Sequence, residues 1–387
     1  MRVALLTYST RPRGGVVHTL SLAEALADLG AEVTVHAVGR DGDAAFFRPV
    51  SPAVTLRIAP LADVDGETVG TRVMRSIAAL AATVDPDAYD VVHAQDCISA
   101  NAVAGVVRTV HHLDRFTTPE LAGCHERAIV TPRAHVCVSR AVAAELTEGW
   151  GIDATVIPNG VDAARFAAAA DTPAATAARQ HWRSRLGGDG DLGRSTAGRD
   201  GLDSDGPSGS RETIVLTVGG IEPRKGTLQL VETMRLLRAS GRPARLVIAG
   251  GETLFDYRSY RAEFDAACRA ADVEPLVLGP VAHDELPALV ASADVFVFPS
   301  TKEGFGLAAL EALAAGVPTV MSDLPVLREV FGGTVRFGAD PPGLAAALRA
   351  ALDAPDPRRR AAGRALAQSH SWDAAARAHL DLYLRLG

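Results

Sequence analysis

The hydrophobic pattern in the first half of the chain alternates between short apolar runs and segments of helical length. Residues 3–8 and 32–38 are apolar runs typical of buried strands, and residues 18–29, closed by Gly30, have the spacing of a helix. Residues 11–15, Arg-Pro-Arg-Gly-Gly, are predicted to be a loop. This strand-loop-helix-strand order predicts a parallel sheet with right-handed crossovers, and therefore an α/β fold.

The second half of the chain repeats this organisation and predicts a second open α/β sheet. The predicted strands are 214–218, 245–249, 275–278 and 295–298, and the predicted helices between them include 227–237 and 284–292. Three glycine-bearing turns should lie on one edge of this sheet. Because ligands of parallel sheets bind at the carboxyl ends of the strands, these turns are candidates for a site.

The two halves are separated by a tract in which the hydrophobic periodicity fails. Residues 187–210 are mostly Gly, Asp, Ser and Arg, so 171–211 is predicted to be a flexible linker or insertion. The domains are then 1–170 and 212–371, and an amphipathic helix at 372–387 is expected to pack back on the first domain. Paired aspartates in the tract could clamp a metal on a diphosphate, but no metal site is predicted. They are Asp189 with Asp191 and Asp203 with Asp205.

Composition narrows the functional class. With 387 residues, 48% hydrophobic and 22% charged, the chain is long enough for two soluble domains, and its net charge of −7 argues against a nucleic-acid partner. No apolar run has membrane-spanning length, no secretory leader is visible, and the four cysteines lack disulfide or metal spacing, so a cytoplasmic location is predicted. Residues 1–165 hold more Asp and Glu than Arg. This does not favour docking on an anionic membrane, although peripheral membrane contact stays open.

The strongest chemical signal lies at residues 295–316. A buried strand is followed by a Pro-Ser-Thr turn, by Gly304 and Gly306, and by a helix of Leu and Ala. A helix N-terminus at a sheet edge favours an anion, and the glycines allow a phosphate to approach the backbone. Glu311 is the one polar side chain in that helix. It is either a solvated surface carboxylate or the acceptor of hydrogen bonds from a ligand diol such as a ribose.

The same stretch also fits a dinucleotide fingerprint. Residues 304–309 have the G-x-G-x-x-A pattern after a strand, and Asp323 follows the next apolar run, as in NAD(P)-binding oxidoreductases. A lone fingerprint is a weak signal, and it gives Glu303 and Glu311 no role. An oxidoreductase is therefore kept as the alternative interpretation.

Other candidate residues stand at the ends of predicted strands. Gly14 and Gly15 form either a plain turn or a phosphate-binding loop, and His111 is either a structural histidine or a group that lines a cleft. Only two of the 39 basic residues are lysines, Lys225 and Lys302, and both lie beside glycine-rich turns. A lysine retained among arginines indicates a position that suits a compact ammonium.

Taken together, these motifs resemble the retaining GT-B glycosyltransferases of family 4. The motifs that carry the resemblance are Glu303-Gly304-Phe305-Gly306 with Glu311 (an E-x7-E signature), Pro158-Asn159-Gly160-Val161-Asp162, Lys225-Gly226, Gly14-Gly15 and His111. They cover nearly the whole chain apart from the 171–210 tract. The resemblance implies two Rossmann-like domains whose parallel sheets face each other across a central cleft, with the C-terminal helix crossing back to the first domain.

The resemblance also implies an activity. A hexose-type sugar would move from a UDP-, GDP- or ADP-linked donor to a hydroxyl acceptor, with retention of anomeric configuration and without an obligatory metal or other cofactor. The acceptor could be a small molecule, a glycan or a lipid, and no nucleic acid is expected. A debated front-face mechanism of the family, in which the departing phosphate takes the acceptor proton, is consistent with the absence of an obvious second carboxylate nucleophile. A nucleotide-sugar-binding protein without turnover would carry the same motifs.

Site residues follow from the same resemblance. It implies that the donor base lies near Val281, that the ribose is held by Glu311, that Glu303 binds donor sugar hydroxyls, and that His111 lies near the transferred sugar. The implied diphosphate contacts are Lys225, Gly306, Leu307, Gly14 and Gly15.

One departure from the family pattern concerns the phosphate site. The family commonly has an arginine directly after the strand that here ends in Gly219-Gly220. Either Arg224, beside Lys225, substitutes for that arginine, or the cationic clamp on the diphosphate is weaker.

Overall fold

Seven parallel strands form the sheet of the first domain. The computed structural model describes residues 1–114, 119–187, 212–250 and 257–387. The strands of the first sheet are β1 (Arg2–Leu6), β2 (Glu32–Arg40), β3 (Val54–Leu61), β4 (Val91–Ala94), β5 (Val107–Val110), β6 (Ala134–Cys137) and β7 (Thr155–Val156). They are hydrogen-bonded in the order β3-β2-β1-β4-β5-β6-β7, and each neighbouring pair is parallel. The helices between them are α1 (Gly14–Asp28), α2 (Val69–Ala81), α3 (Cys97–Ala100), α4 (Pro119–Val130) and α5 (Arg140–Trp150).

Two helices, α6 (Ala163–Asp171) and α7 (Pro173–Arg185), precede a second parallel sheet. Its strands are β8 (Thr213–Val218), β9 (Ala244–Ala249), β10 (Leu276–Gly279), β11 (Val295–Phe298), β12 (Thr319–Ser322) and β13 (Arg336–Gly338), in the order β10-β9-β8-β11-β12-β13. The remaining helices are α8 (Thr227–Ala239), α9 (Arg258–Ala270), α10 (Leu286–Ser292), α11 (Leu307–Ala314), α12 (Pro325–Phe331), α13 (Pro341–Asp353), α14 (Pro357–Ser369) and α15 (Trp372–Leu386).

Both sheets are doubly wound, and this decides where a ligand can bind. The strand order reverses between β1 and β4 in the first sheet and between β8 and β11 in the second. At such a reversal the two following loops diverge and leave a crevice at the carboxyl edge of the sheet. The predicted fold class, two Rossmann-like domains with parallel sheets, is confirmed.

The structure differs from the prediction at the start of α1. Gly14 and Gly15 were expected in a loop, but they form the first turn of this helix. The helix therefore begins four residues earlier than the apolar spacing indicates, because two glycines at its N-terminus add no apolar side chain to the pattern.

The segment predicted to be a flexible linker contains a helix. The side chain of Thr172 accepts a hydrogen bond from the backbone N–H of Ala175 and caps α7, and Trp182, 3% exposed, is buried in the core of the second domain. The prediction of a flexible linker is therefore wrong for residues 173–185. This segment is rich in Ala and Arg, so its apolar pattern is weak, and Trp182 is its one large buried side chain. Residues 188–211, with both aspartate pairs, lie outside the described part of the chain.

Helix α15 packs against the first domain although it follows the second domain in sequence. Ser371 caps its N-terminus by accepting from the N–H of Ala374. Ala376 and Tyr383, which is 1% exposed, join the hydrophobic core formed by α1 and the first sheet. The core of the first domain is thus built from two distant parts of the chain.

The two domains also contact each other directly beside α5. The carboxylate of Glu329 on α12 accepts hydrogen bonds of 2.8 Å from the backbone N–H groups of both Arg140 and Ala141, which begin α5. Lys302 forms an ion pair of 3.2 Å with Glu145 on the same helix. A carboxylate at a helix N-terminus is favoured by the unpaired N–H groups and the helix dipole.

Two further features concern membrane-spanning helices and the cysteines. No helix in the described ranges has both the length and the apolar character needed to cross a membrane. All four cysteines are free thiols, three of them buried. The cytoplasmic location stays a prediction.

Candidate functional site

The N-terminus of α11 lies at the strand reversal of the second sheet. A turn of eight residues connects β11 to this helix, and Gly306 at its end has a φ of 104°, a conformation that favours glycine. A Cβ atom at Gly306 would also come within 3.0 Å of the ring of Phe331. Among the residues described, no side chain caps this helix and none in its first turn is acidic. The N–H groups that precede Ala309, whose own N–H donates to the Gly306 carbonyl, are therefore available to an anion.

A cluster of charged side chains stands beside this turn. Glu303 lies after β11, and Arg224 and Lys225 follow β8, the neighbouring strand. Nζ of Lys225 lies 2.9 Å from Oε2 of Glu303, and Nη1 of Arg224 lies 3.4 Å from the same oxygen. Ser300 donates a hydrogen bond of 3.3 Å to Glu303, and Glu222 accepts one of 3.0 Å from Arg224. Three sequence-predicted residues, Arg224, Lys225 and Glu303, are thus in direct contact.

The surroundings of Glu303 keep its carboxylate ionised. Burial would raise its pKa, but the charges of Lys225 and Arg224 outweigh this effect and lower the pKa to about 2. The carboxylate can therefore accept hydrogen bonds, but it is not available as a proton donor near neutral pH.

The glycine that departs from the family pattern, Gly219, lies against the stem of Lys225. The position of a Cβ atom on Gly219 lies 3.5 Å from Cδ and Cε of Lys225. On its other side the Lys225 ammonium stands 5.0 Å from the centroid of the Phe298 ring. A side chain at position 219 would therefore begin in ordinary van der Waals contact with the stem of Lys225. Arg224 supplies a guanidinium to the same cluster.

His111 of the first domain contacts this cluster through the backbone. A Cβ atom on Gly304 would overlap the carbonyl oxygen of His111, so the backbone segments around these two residues approach each other closely. The imidazole of His111 lies 3.8 Å from the position of a Cβ atom on Gly15. Burial, reinforced by the charges of His112 and Arg108, lowers the pKa of His111 to about 3, so this ring is neutral.

A row of buried histidines lies behind His111. The ring of His18 on α1 packs edge-to-face on His111, with centroids 4.8 Å apart. Nδ1 of His18 lies 2.9 Å from Oδ1 of Asn159, and because an amide oxygen can only accept, that nitrogen carries the proton. His379 on α15 is next, 6.2 Å from His18 and 5.5 Å from His93 between ring centroids. The row connects His111 to the returning helix α15.

Acid is expected to destabilise the first domain through this row. Burial lowers the pKa of His18 and His93, and it lowers the pKa of His379 to about 4. Histidine in the unfolded chain titrates near about 6.5, so the unfolded state takes up protons that the folded state excludes. Stability is therefore full above about pH 6.5 and is lost as the pH falls toward about 4.

The measurement is the melting temperature followed by circular dichroism across this pH range. His379→Phe should shift the loss of stability to lower pH, because phenylalanine fills the site without titrating. His181→Phe, at an exposed histidine of α7, is the control and should follow the wild-type profile. A wild-type profile in His379→Phe would contradict the expectation.

Glu311 faces a different neighbour. It lies one turn into α11, and burial raises its pKa to about 7, with the charge of Arg165 acting in the opposite direction. Among the described groups, none makes a hydrogen bond to its carboxylate. Arg165, on α6, also donates to the backbone carbonyl of His283, two residues after Val281. The residues predicted for the ribose and the base are therefore linked through one arginine.

Glu311→Gln is expected to raise the stability of the unliganded protein at about pH 8 and to have little effect near about pH 4.5. In the wild-type protein, burial raises the pKa of Glu311 from 4.5 to about 7. The charged carboxylate therefore costs no stability below pH 4.5, and its burial lowers the stability by the full amount above about pH 7. Melting temperatures of both proteins at several pH values test this. Glu263→Gln, at an exposed residue of α9, should show no such trend, and a difference for Glu311→Gln that is constant with pH would refute the expectation.

The structure groups the predicted residues in two places. His111, Gly15, Lys225, Arg224 and Glu303 lie around the contact between domains, while Val281 and Glu311 lie with Arg165 nearer α6. Gly306 and Leu307, at the start of α11, lie in sequence between Glu303 of the first group and Glu311 of the second. The residues that the sequence analysis missed are Arg165, His18, Glu222 and Ser300. Of these, His18, Glu222 and Ser300 had a signal, as polar residues within or next to motifs already identified.

Comparison with known proteins identifies the family of the chain. Residues 12–165 match a family model described as "Glycosyltransferase Family 4", and residues 201–368 match one described as "Glycosyl transferases group 1". A D-inositol 3-phosphate glycosyltransferase of Xylanimonas cellulosilytica is 29% identical over 99% of this chain and 96% of its own length. A glycogen synthase of Mycobacterium tuberculosis is 34% identical, over 62% of this chain and 51% of its own.

Solved structures show the same fold. Sucrose-phosphate synthase of Thermosynechococcus elongatus superimposes with a TM-score of 0.74 at 21% identity, over 100% of this chain and 99% of that one. The Anabaena protein HepE, solved in complex with UDP and glucose, gives a TM-score of 0.72 at 18% identity, over 100% and 99%. The two family models together span most of the chain. The chain therefore belongs to glycosyltransferase family 4 and is a glycosyltransferase of the GT-B fold.

Proposed function

We propose that this glycosyltransferase moves a hexose-type sugar from a nucleotide-diphosphate donor to a hydroxyl group, with retention and without an obligatory metal ion or other cofactor. The observation that carries the proposal is the placement of Lys225, Arg224 and Glu303 beside the uncapped N-terminus of α11. Two cations and a helix N-terminus suit a diphosphate, and an ionised carboxylate suits sugar hydroxyls.

The donor would lie along α11. Its ribose would donate hydrogen bonds to Glu311, and its base would stack near Val281 and His283, close to Phe47 of the first domain, whose ring centroid is 5.8 Å from that of His283. Its diphosphate would accept from Lys225, Arg224 and the amides of Gly306 and Leu307. The N-terminus of α1 at Gly14-Gly15 would face the diphosphate from the first domain.

The chemistry then needs little more than charge stabilisation. The bond between the anomeric carbon and the diphosphate oxygen breaks, and its electron pair stays on that oxygen. The acceptor oxygen forms the new bond on the same face of the sugar, and its proton goes to the departing diphosphate. Lys225 and the α11 amides would stabilise the charge that develops on the leaving oxygen, where each such donor contributes about 3–4 kcal/mol. Glu303 would hold the sugar, and neutral His111 would lie beside it.

A donor panel tests this proposal. UDP-, GDP- and ADP-linked sugars are each incubated with a mixture of hydroxyl acceptors, with and without EDTA, and the product is analysed by NMR. We expect transfer from one nucleotide class, unchanged by EDTA, and a product with the donor's anomeric configuration. Activity that disappears with EDTA and returns with a divalent cation would refute metal independence, and an inverted product would refute retention.

The dinucleotide interpretation of residues 304–309 has no support from the family to which the chain belongs. Thermal shift provides a direct comparison, in which the donor nucleotide should stabilise the protein and NADH should not. Glu311→Gln should lose most of the stabilisation by the nucleotide, because the ribose hydroxyls lose their charged acceptor.

A further inference from the structure

Helix α12 lies between the proposed diphosphate site and the first domain. A Cβ atom on Gly306 would come within 3.0 Å of the ring of Phe331 and within 3.5 Å of the side chain of Leu327, and both of these residues belong to α12. Glu329 of the same helix binds the start of α5. One short helix of the second domain therefore contacts both the turn that precedes α11 and the first domain.

Glu329 supplies hydrogen-bond acceptors to the N-terminus of α5. One carboxylate oxygen accepts from the N–H of Arg140 and the other from the N–H of Ala141, each at 2.8 Å. The next N–H, that of Val142, donates to the side chain of Ser139 at 3.2 Å. The first N–H groups of a helix have no acceptor inside that helix. Two of these three N–H groups therefore depend on an acceptor from the other domain.

An apolar contact accompanies these two hydrogen bonds. Val138, which is 1% exposed, belongs to the hydrophobic core of the second domain, and Ala141 packs against the same core. Apolar contact is non-directional, whereas a hydrogen bond weakens steeply as its angle departs from linear. The apolar contact can thus hold the domains together, and the carboxylate of Glu329 can fix the angle at which α5 meets α12.

This angle matters because α5 lies next to the proposed transfer site. The position of a Cβ atom on Gly304 overlaps the carbonyl oxygen of His111 and lies 3.5 Å from Cγ2 of Val142 in α5. Strand β5, which precedes His111, is hydrogen-bonded to β6, which precedes α5. His111 and α5 are therefore parts of one sheet-and-helix unit. A tilt of α5 against the second domain would displace His111 from the adjacent Glu303.

We propose that Glu329 is a positioning residue for sugar transfer, which holds the first domain at the angle that brings His111 to the donor sugar. The proposal rests on the transferase function given above, since it concerns the geometry of the same reaction. Glu329 acts through α5 and not on a reacting atom. Because α12 also packs against Gly306, the turn that would bind the donor diphosphate and the first domain share this helix as a support.

Glu329→Ala separates positioning from donor binding. In hydrogen-exchange mass spectrometry, the N–H groups of Arg140 and Ala141 should exchange faster than in wild type, because they lose their acceptor. We expect kcat to fall by about 10- to 100-fold, as for a displacement of about 1 Å at a reacting centre. Calorimetry with UDP, GDP and ADP should give affinities within about twofold of wild type, since the proposed nucleotide contacts lie in the second domain.

Arg140→Pro tests the same contact from the other domain. Proline lacks the N–H that donates to Glu329, and it is favoured at the first position of a helix. Ser139 has a φ of −154° and a ψ of 161°, the extended conformation that suits a residue before proline. This variant should also lower kcat. Adding it to Glu329→Ala should cause less than about a twofold further loss, because both changes break one shared hydrogen bond.

Two controls and one conservative variant complete the series. Arg140→Ala keeps the N–H and removes only a side chain that is 79% exposed. Glu148→Ala, at an exposed residue of α5, changes the net charge as Glu329→Ala does. Both controls should keep wild-type exchange and a kcat within about twofold. Glu329→Asp keeps the carboxylate on a shorter stem and should retain part of the kcat. Melting temperatures identify any variant that fails to fold.

Four results would overturn the assignment. They are unchanged exchange at α5 in Glu329→Ala, wild-type kcat in that variant, a loss of nucleotide affinity as large as the loss of kcat, and losses that multiply in the double variant. The third would place the effect in the donor site. A failure of the proposed function looks different. In that case wild-type protein transfers no sugar from any donor, while the faster exchange in Glu329→Ala is still measured.

Discussion

Replacing Lys225 with Met is expected to lower the turnover rate of sugar transfer by about 100- to 1000-fold. The ammonium is held 2.9 Å from Glu303 and 5.0 Å from the ring centroid of Phe298, next to the helix N-terminus where the diphosphate would lie. Charge on the leaving oxygen grows as the glycosidic bond breaks, so a cation fixed in advance stabilises the transition state more than the bound donor. The measurement is kcat and KM with the best donor of the panel, and kcat should carry most of the loss.

The second lysine of the chain is the matched control. Lys302→Met makes the same chemical change next to the same turn, but Lys302 pairs with Glu145 at 3.2 Å and is partly exposed. Its effect should stay within about twofold, as for most surface substitutions. Because Lys225→Met leaves a buried carboxylate with one cation fewer, melting temperatures accompany the kinetics, and Lys225→Arg keeps the charge if the first variant is unstable. Wild-type kcat in Lys225→Met, or equal losses at both lysines, would exclude the proposed role.

Gly304→Ala is expected to reduce activity by about 100-fold while both domains stay folded. The added methyl group would overlap the carbonyl oxygen of His111 and lie 3.5 Å from Val142, and both of these residues belong to the first domain. Backbone cannot yield as a flexible side chain can, so the domains must move apart at this contact. His111 then moves away from Glu303, and a displacement of about 1 Å at a reacting centre is enough to cost about two orders of magnitude.

Gly149→Ala is the control for this substitution. Apart from its chain neighbours and the backbone of its own helix, no heavy atom of the described chain lies within 4 Å of the Cβ position at Gly149, which lies in α5. The control should keep wild-type activity. Circular dichroism should show unchanged secondary structure in Gly304→Ala, and small-angle X-ray scattering should show a larger radius of gyration. Full activity in Gly304→Ala would show that the close approach to His111 is not needed for transfer.

The fold could be predicted because its signals are local. Residues 3–8 and 295–298 are apolar runs bounded by turns, and such runs become buried parallel strands with few alternatives. The main errors fell where the local pattern is weak. Gly14 and Gly15 add no apolar spacing to α1, and α7 is anchored mainly by Trp182.

The site residues that belong to recognisable sequence motifs could be predicted. Lys225, Glu303 and Glu311 belong to motifs with a turn or helix attached, so their chemistry could be inferred from residue type and position. Arg165 could not, because it approaches Glu311 and His283 only after α6 packs on the second domain.

Helix α15 has a consequence for the order in which the protein forms on the ribosome. The first domain is translated first, but its core lacks Ala376 and Tyr383 until the whole second domain has been made. A nascent chain arrested before Trp372 should therefore present a compact later domain and an earlier one whose apolar groove on α1 is open to solvent and to chaperones. The second domain can therefore complete its fold before the first domain, although the first domain is synthesised earlier.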